Sequence, residues 1–316
     1  MQVTERHLKH LAAVVRTGSM TDGAALLGLS QPALSRSISE LEKRIGAPVL
    51  KPGRRPLEPT ALGRQLAAQG MIILSANRTA SDIVEGFRGG LAGLVRIGGV
   101  PFFVDALISN MIAEFRELSP DTRVDLSYGY LPEMKAALAA DQIDMAIVPI
   151  AETQNLDEFA FESFLSARNV VACRTNHPLL RKRGLTANDL MDYPWIEPPA
   201  GSPLLGDMNA VLLSFGLTDA EVSFSGGSLF SVLNYLRETD ALTILPHTVI
   251  FANRHECRVT VLPVRIARGD RSLGILRKAG GTPLPATDRF TQFVSKRFSD
   301  LQLAIAKHEN AIAWRR

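Results

Sequence analysis

The chain has 316 residues, enough for two or three domains, with 46% hydrophobic and 21% charged residues, the balance of a folded protein that buries real cores. That balance excludes a disordered chain. The longest uncharged apolar stretch, around Gln65–Asn77, falls short of the ~20 residues a membrane helix needs. Net charge is only +3, but residues 1–60 hold nine Lys/Arg against five Asp/Glu, a surplus of +4, so the other 256 residues sum to −1. A basic head on a near-neutral body fits a polyanion-binding module, or a chance surplus on a solvated face.

The N-terminus carries Glu5 and Arg6 and no apolar run, so no signal peptide is expected and the chain is read as cytoplasmic, with Cys173 and Cys257 as reduced thiols. His7–Val15 has apolar residues at helical spacing and stops at Thr17-Gly18-Ser19. Thr21–Leu27 is a short Ala-rich helix ending at Gly28. Ser30 stands where an N-cap belongs and Pro32 in the first turn of a third helix, which runs to about Ile45 and stops at Gly46. Prolines 48, 52, 56 and 59 exclude a helix over 47–60 and suggest an extended, wing-like excursion. A pattern of about 28 residues then begins at Ala61, with Leu62, Leu66, Ile73, Ala76, Ala80, Ile83 and Phe87 in alternating steps of three and four once Gln69 fills one slot. This seam suits pairing with another helix, or packing on its own chain; Gly63, Gly70 and Gly86 weaken it.

Gly89–Gly93 reads as a hinge, after which strands and helices alternate as in α/β architecture. Expected in turn are a strand Leu94–Val100, a helix Asp105–Leu118, a strand Arg123–Tyr128, a helix Glu133–Ala140 and a strand Ile143–Val148. A second set comprises Asn169–Cys173, a helix near Ala187–Met191, Trp195–Ile196, Val222–Ser225, a helix Phe230–Arg237 and Leu242–Leu245. Arg271–Arg277 is a late strand and Thr287–Lys307 the closing helix.

On a helical wheel of residues 31–45, Leu34, Ile38, Leu41 and Ile45 form a buried stripe. Opposite lie Pro32, Arg36, Ser39 and Lys43, with Gln31 and Ser35 toward the start. Gln, Ser and Arg near a helix start suit the major groove: Arg can pair with guanine and Gln with adenine. A tight turn and a short helix before it match the helix-turn-helix layout. Here Ala24-Ala25, Leu29-Ser30-Gln31-Pro32-Ala33-Leu34-Ser35-Arg36, Ile38, Leu41-Glu42 and Ile45-Gly46 resemble the N-terminal signature of the LysR-type transcriptional regulators. The resemblance is specific over residues 7–63 and continues as layout. It implies base contacts at Gln31, Pro32, Ser35 and Arg36. The wing departs from the family pattern, with Pro52 at the usual early Arg. Arg54 and Arg55, on a proline-stiffened excursion, are assigned to phosphate or minor-groove contact, which Lys51 could share.

The resemblance implies an α/β chain with an N-terminal all-α winged helix-turn-helix (1–60), a linker dimerisation helix (61–88), a hinge (89–93) and a two-lobed, periplasmic-binding-protein-like effector domain (94–316). Lobe I is placed at 94–164 and 267–316, and lobe II at 165–266. Its partners would be double-stranded DNA carrying an interrupted palindrome, a small-molecule effector and itself, as homodimer or homotetramer. RNA polymerase is a further candidate, and no membrane or cofactor is expected. In such folds ligands sit beyond strand ends at helix N-termini. That points to Val100, Pro101, Phe102 and Phe103 after the first strand, Gly129 and Tyr130 after the second, Pro149 after the third, and Ser202 and Ser228 from lobe II. Many family members place Ser or Thr where this chain has Pro101-Phe102-Phe103. An aromatic wall there suits a small, mostly uncharged or weakly acidic metabolite with one flat or apolar face, unless one or both phenylalanines simply pack in the lobe core.

Dinucleotide, P-loop and G-x-S-x-G motifs are absent from the sequence. His7 and His10 read as surface histidines without a third metal ligand, His255-Glu256-Cys257 as weak evidence for zinc, and Cys173 as a core thiol. His247 is either a cleft residue or a loop histidine. No catalytic constellation emerges, so an enzyme is not expected. The alternative is a solute-binding protein of a transport system, whose body would look the same.

Overall fold

The computed structural model describes residues 3–53, 56–89, 93–217, 220–264, 266, 271–280 and 283–313; the side chains of 78–79, 82–83, 85–89, 187 and 310–313 are outside the description. Two compact units emerge: Met1–Gly93 with Ala136–Ile143, and Leu94–Lys135 with Asp144–Arg316.

The first unit is built on α1 (Glu5–Thr17), α2 (Met20–Leu26), α3 (Gln31–Ile45) and α4 (Ala61–Gly89). Each early helix stops for a stated reason. Gly18 adopts φ 64° and returns its N–H to Val14 C=O. Gly28 (φ 65°) follows α2, and the Leu29 N–H reaches back to Ala24 C=O at 2.9 Å, closing a Schellman turn that sets α3 against α2. Gly46 ends α3 at φ 74°. The stripe on α3 is buried at Leu34, Ile38 and Leu41 against Leu11, Val14 and Ala24, with Ile45 half-buried beside them.

Residues 47–60 form a hairpin-like excursion. Leu50 bridges Pro59, the Lys51 N–H bonds Glu58 C=O at 2.8 Å, and the Thr60 N–H bonds Val49 C=O at 3.0 Å. Glu42 on α3 anchors it by accepting from the Val49 N–H at 2.8 Å. Thr60 Oγ accepts from the Gly63 N–H at 3.0 Å and so caps the start of α4.

Two glycines that weaken the α4 seam in the sequence have a packing role instead. A Cβ on Gly70 would lie 2.0 Å from Leu8 C=O, and one on Gly63 would lie 1.9 Å from Val49 C=O. With buried Ala67 they make the face on which α1 and the hairpin lie directly against the α4 backbone. Leu62, Leu66 and Ile73 are half-buried; the expected seam residues Ile83 and Phe87 lie outside the described side chains.

The second unit opens with β1 (Gly93–Gly99). A helix follows from Pro101, earlier than expected: α5 (Pro101–Phe103), a π-helical turn over Val104–Ile108, then α6 (Ser109–Leu118). Proline at the first helical position needs no donor, and Val100 N-caps the turn. Gly99 allows the approach, since a Cβ there would sit 2.5 Å from Val104 Cγ2. β2 (Thr122–Tyr128), α7 (Leu131–Ala139), β3 (Met145–Ala151) and β4 (Phe159–Ser166) come next, and β10 (Arg271–Lys278) returns from late in the chain. The sheet order is β2-β1-β3-β10-β4, with β1 parallel to β3 and β10 antiparallel to both neighbours. Pro149, expected just past the third strand, is inside β3, paired with Leu273. The closing helix α12 (Pro285–Ala313) buries Phe290, Val294 and Phe298, with Phe298 stacked on Phe164 and Phe290 edge-on to Phe115.

Residues 169–261 contribute two smaller sheets. β5 (Asn169–Arg174) lies between β8 (Thr243–Pro246) and β9 (Val259–Val261), both antiparallel, while β6 (Trp195–Glu197) pairs in parallel with β7 (Val222–Ser225). α8 (Ala187–Met191), α9 (Pro203–Ser214), α10 (Leu229–Glu238) and α11 (His247–Asn253) pack around them. Trp195, Leu190, Val171 and Ile244 are fully buried in this core. Cys173 belongs to it, its thiol pushed up to about 12 by burial, which keeps it protonated and inert. β4, α9, α11 and β9 are additions to the sequence-based expectation.

Gly70→Ala drives a methyl group into the Leu8 carbonyl. It is expected to lower stability by at least about 1–3 kcal/mol, the range for overpacked sites. Calorimetry of the full chain checks this; an unchanged Tm would mean that α1 and α4 pack less closely.

Candidate functional site

Two sets of residues are built for contact. The first is the outer face of α3. Pro32, Arg36, Ser39 and Lys43 are exposed on the side opposite Leu34, Ile38 and Leu41, with exposed Gln31 and half-buried Ser35 toward the start of the helix. Ser30 holds the N-cap position with extended backbone, though its side chain makes no capping bond, and Pro32 lies in the first turn. The start of α3 therefore offers Gln and Arg side chains on a helix whose other face is fixed in a core. In the excursion, Lys51 is paired with Glu58 at 2.7 Å, with both side chains partly exposed. Arg54 and Arg55 lie outside the described residues.

His7 and His10 are not surface histidines. His7 is fully buried, with Nδ1 2.8 Å from Thr4 Oγ, and His10 Nδ1 lies 2.7 Å from Ser37 Oγ on α3. Burial, with Arg6, His7 and Lys9 nearby, lowers the His10 pKa. His10 thus links α1 to α3, and His7 Nε2 lies 3.6 Å from Glu40 on α3. No group of three or more metal-ligating side chains occurs among the described residues, the His255-Glu256-Cys257 tract included.

The second set surrounds a cavity of about 50 Å³ in the second unit. Val100, Phe102, Phe103, Tyr130 and Pro149 reach it from the five-stranded sheet and the segments that follow its strands, and Ser202 from the start of α9. Pro101, Gly129 and Ser228 are not among its walls. Pro101 is half-buried at the helix start, and Ser228 caps α10 by accepting from the Ser231 N–H at 3.3 Å. Phe102 and Phe103 are both core residues and wall residues, so the two roles posed as alternatives coexist. Ser202 is buried and accepts from the Leu204 N–H at 3.3 Å, capping α9 at the cavity edge. His247 is not in the wall. It packs toward the end of α12, 3.7 Å from Glu309, which itself pairs with Arg168. Burial, with Arg168 beside it, pushes the His247 imidazole down to about 4.

Sequence reasoning missed the cavity's polar edge. Asn169 opens β5 and Arg271 opens β10; both line the wall, and both bond Asp207 on α9. A search of the segments that follow strands passes over residues at strand starts. They reach the cavity because the chain crosses between sheets at these two points, where the Ala167 N–H bonds Arg271 C=O at 2.8 Å.

Residues 5–64 match the family described as bacterial regulatory helix-turn-helix protein, lysR family, and residues 88–299 match the LysR substrate binding domain. The SDS degradation transcriptional activation protein of a Pseudomonas species is 26% identical over 287 residues, 90% of this chain and 92% of that one. The uncharacterized HTH-type transcriptional regulator YdcI of Escherichia coli is 25% identical over 279 residues, 88% and 90% of the two chains. Among solved structures, a full-length OxyR variant from Pseudomonas aeruginosa superposes with a TM-score of 0.64 at 15% identity, covering 94% of this chain and 95% of that one. CbnR complexed with its target DNA gives 0.60 at 18% identity, covering 94% and 100%. At these identities the structures show a shared fold.

On duplexes carrying the specific site, Arg36→Ala is expected to cost about 1–3 kcal/mol while leaving binding to random duplex nearly unchanged. Titration of both duplexes at one salt concentration checks it. Unchanged affinity and unchanged sequence preference would remove Arg36 from base reading.

Proposed function

The chain belongs to the LysR family of DNA-binding transcriptional regulators with an effector-binding domain, and we propose that it reads an interrupted palindrome as a homodimer or homotetramer under the control of a small molecule held against Phe102, Phe103 and Tyr130. In this reading Gln31, Pro32, Ser35 and Arg36 contact bases, while Ser39, Lys43, Arg54 and Arg55 contact the backbone or the minor groove. The helix-turn-helix occupies 1–60, the linker 61–88 and the hinge 89–93. Lobe I takes 94–164 and 267–316, and lobe II 165–266. The observation that carries the effector reading is the cavity: side chains from the five-stranded sheet and from the start of α9 converge on one space, and most of its wall is apolar.

The effector is a small, mostly uncharged or weakly acidic metabolite, its flat or apolar face toward lobe I and its hydrophilic edge toward Ser202. We assign the chain no enzymatic activity and place it in the cytoplasm. Among the described residues no helix is long and apolar enough to cross a membrane. The solute-binding alternative receives no support: the family match over residues 5–64 brings a regulatory helix-turn-helix with it.

The dimer reading rests on α4. Gly63, Ala67 and Gly70 give one face to the chain's own α1 and hairpin, and Leu66 packs on the same core, which leaves the half-buried Leu62 and Ile73 as the adjoining stripe for a second copy. Sedimentation of the full chain at micromolar concentration is expected to give a dimer or a larger assembly; a monomer would count decisively against it.

The cleft is tested with the inducing metabolite once a thermal-shift screen has found it. Tyr130→Ala and Ser202→Ala are each expected to weaken the response to it while leaving DNA binding in its absence intact. If both variants respond as the parent does, the effector binds elsewhere.

A further inference from the structure

The cavity wall has one charged side chain among the described residues, Arg271, and its charge is already answered. The guanidinium bonds Asp207 in a fork, Nη1 to Oδ2 at 2.5 Å and Nη2 to Oδ1 at 3.1 Å. Asn169 donates to the same carboxylate at 2.7 Å. Asp207 is not itself in the wall; it stands behind Arg271 and Asn169, on the first turns of α9. Side-chain exposures of 31% for Arg271 and 24% for Asp207 make this a partly desolvated, bidentate pair rather than a solvated surface contact. In the proposed lobe division Arg271 belongs to lobe I and Asp207 to lobe II, so the pair ties β10 to α9.

We propose that Asp207 holds the place on Arg271 that an effector's anionic group takes, so that the effector carries a carboxylate with an apolar body, and its binding displaces Asp207 and releases α9 from β10. The inference rests on the cleft reading above and deepens it: it narrows the weakly acidic metabolite to a carboxylate and moves its anionic contact from Ser202 to Arg271, at the polar edge of the same cavity.

Charge bookkeeping supports exchange over addition. Two carboxylates on one guanidinium would leave an uncompensated negative charge in a partly desolvated site. A neutral ligand that broke the pair would leave Arg271 unanswered, and one that left it intact would find the polar edge of the cavity closed. Exchange of one carboxylate for another keeps the fork geometry and the charge balance. Contact with Phe102, Phe103 and Tyr130 then supplies the net gain. Asp207 is released into a segment that begins at the cavity edge with Ser202, so the exchange loosens a tie between the lobes as part of binding. Differential affinity for two arrangements is what an effector needs in order to act.

The test uses the full chain with benzoate and benzamide, two flat probes of nearly equal shape that differ in charge. Asp207→Ala frees Arg271. Asp207→Asn removes the charge that answers Arg271 while keeping the shape of the side chain and an acceptor for Asn169, and serves where the alanine variant fails to fold. Isothermal titration is expected to show benzoate binding at least tenfold more tightly to either variant than to the parent, with benzamide changed less than twofold. Adding Arg271→Gln to Asp207→Asn is expected to abolish the gain. A gain shared equally by benzamide, a gain that survives loss of Arg271, or no gain for benzoate would each overturn the assignment. Failure of the regulator reading itself is visible separately, as failure of the parent chain to bind duplex DNA.

Discussion

The effector domain depends on β10. This strand arrives more than a hundred residues after β3 and enters between β3 and β4, antiparallel to both. Without it β3 and β4 would each present an unpaired edge, and the five-stranded sheet would fall into two pieces. Gly274 makes the insertion possible: a Cβ there would lie 2.1 Å from Glu162 C=O, and the register slips at Leu273/Gly274 to accommodate the fit. Because the strand must come back, the chain crosses between its sheets twice. The bond from the Ala167 N–H to Arg271 C=O joins the crossings. The cavity lies beside that joint, and Ala167, Asn169 and Arg271 line it because the topology brings both crossings there.

Close approach governs the N-terminal unit in the same way. α1 can lie on α4 only because residue 70 has no side chain, and the hairpin only because residue 63 has none. That fixes α1 and, through buried Leu11 and Val14, the inner face of α3. His10 bonded to Ser37 adds a polar link between α1 and α3, inside a small core that has little apolar surface to spare. The exposed face of α3 is what remains once these demands are met. A helix fixed this firmly on one side presents its outer residues in a defined geometry, which a groove-reading element requires.

Much of this could be read from the residues. The stripe Leu34, Ile38 and Leu41, the stops at Gly18, Gly28 and Gly46 and the proline-spaced excursion are local signals with local causes, and the structure follows them. The missed elements have no such signal. α11, His247–Asn253, runs on directly from β8 through β-branched residues, so a change of period cannot be seen in seven residues. α9 carries a readable Ser202-Pro203 start, but Gly206 and an almost continuous apolar run hide its face. The histidines of α1 were misread because amphipathic periodicity assumes one buried face, whereas α1 is covered by α3 on one side and α4 on another. Arg271 and Asn169 are legible only once the crossings are known, since nothing local marks a strand's first residue as a wall of a site.

The size of the cavity constrains how any effector could work. Sites for small metabolites commonly measure about 300–1,000 Å³. The space bounded by Phe102, Phe103, Tyr130 and Ser202 is about 50 Å³. Under the cleft reading proposed above, an effector of ordinary size binds an arrangement in which the walls stand further apart. In the exchange proposed above, the walls part on the β10 and α9 sides when the pair breaks, because Arg271 and Asn169 are both wall residues and both hold Asp207. Ligand and tie are thus mutually exclusive occupants of the same few ångströms. By linkage, whatever free energy the tie contributes to the closed arrangement is subtracted from the effector's apparent affinity. A weaker tie would give a more sensitive regulator that opens more readily on its own, and a stronger one a regulator that is silent until the metabolite is abundant. Under the proposed exchange, the strength of the fork between Arg271 and Asp207 is one determinant of the concentration at which the protein responds.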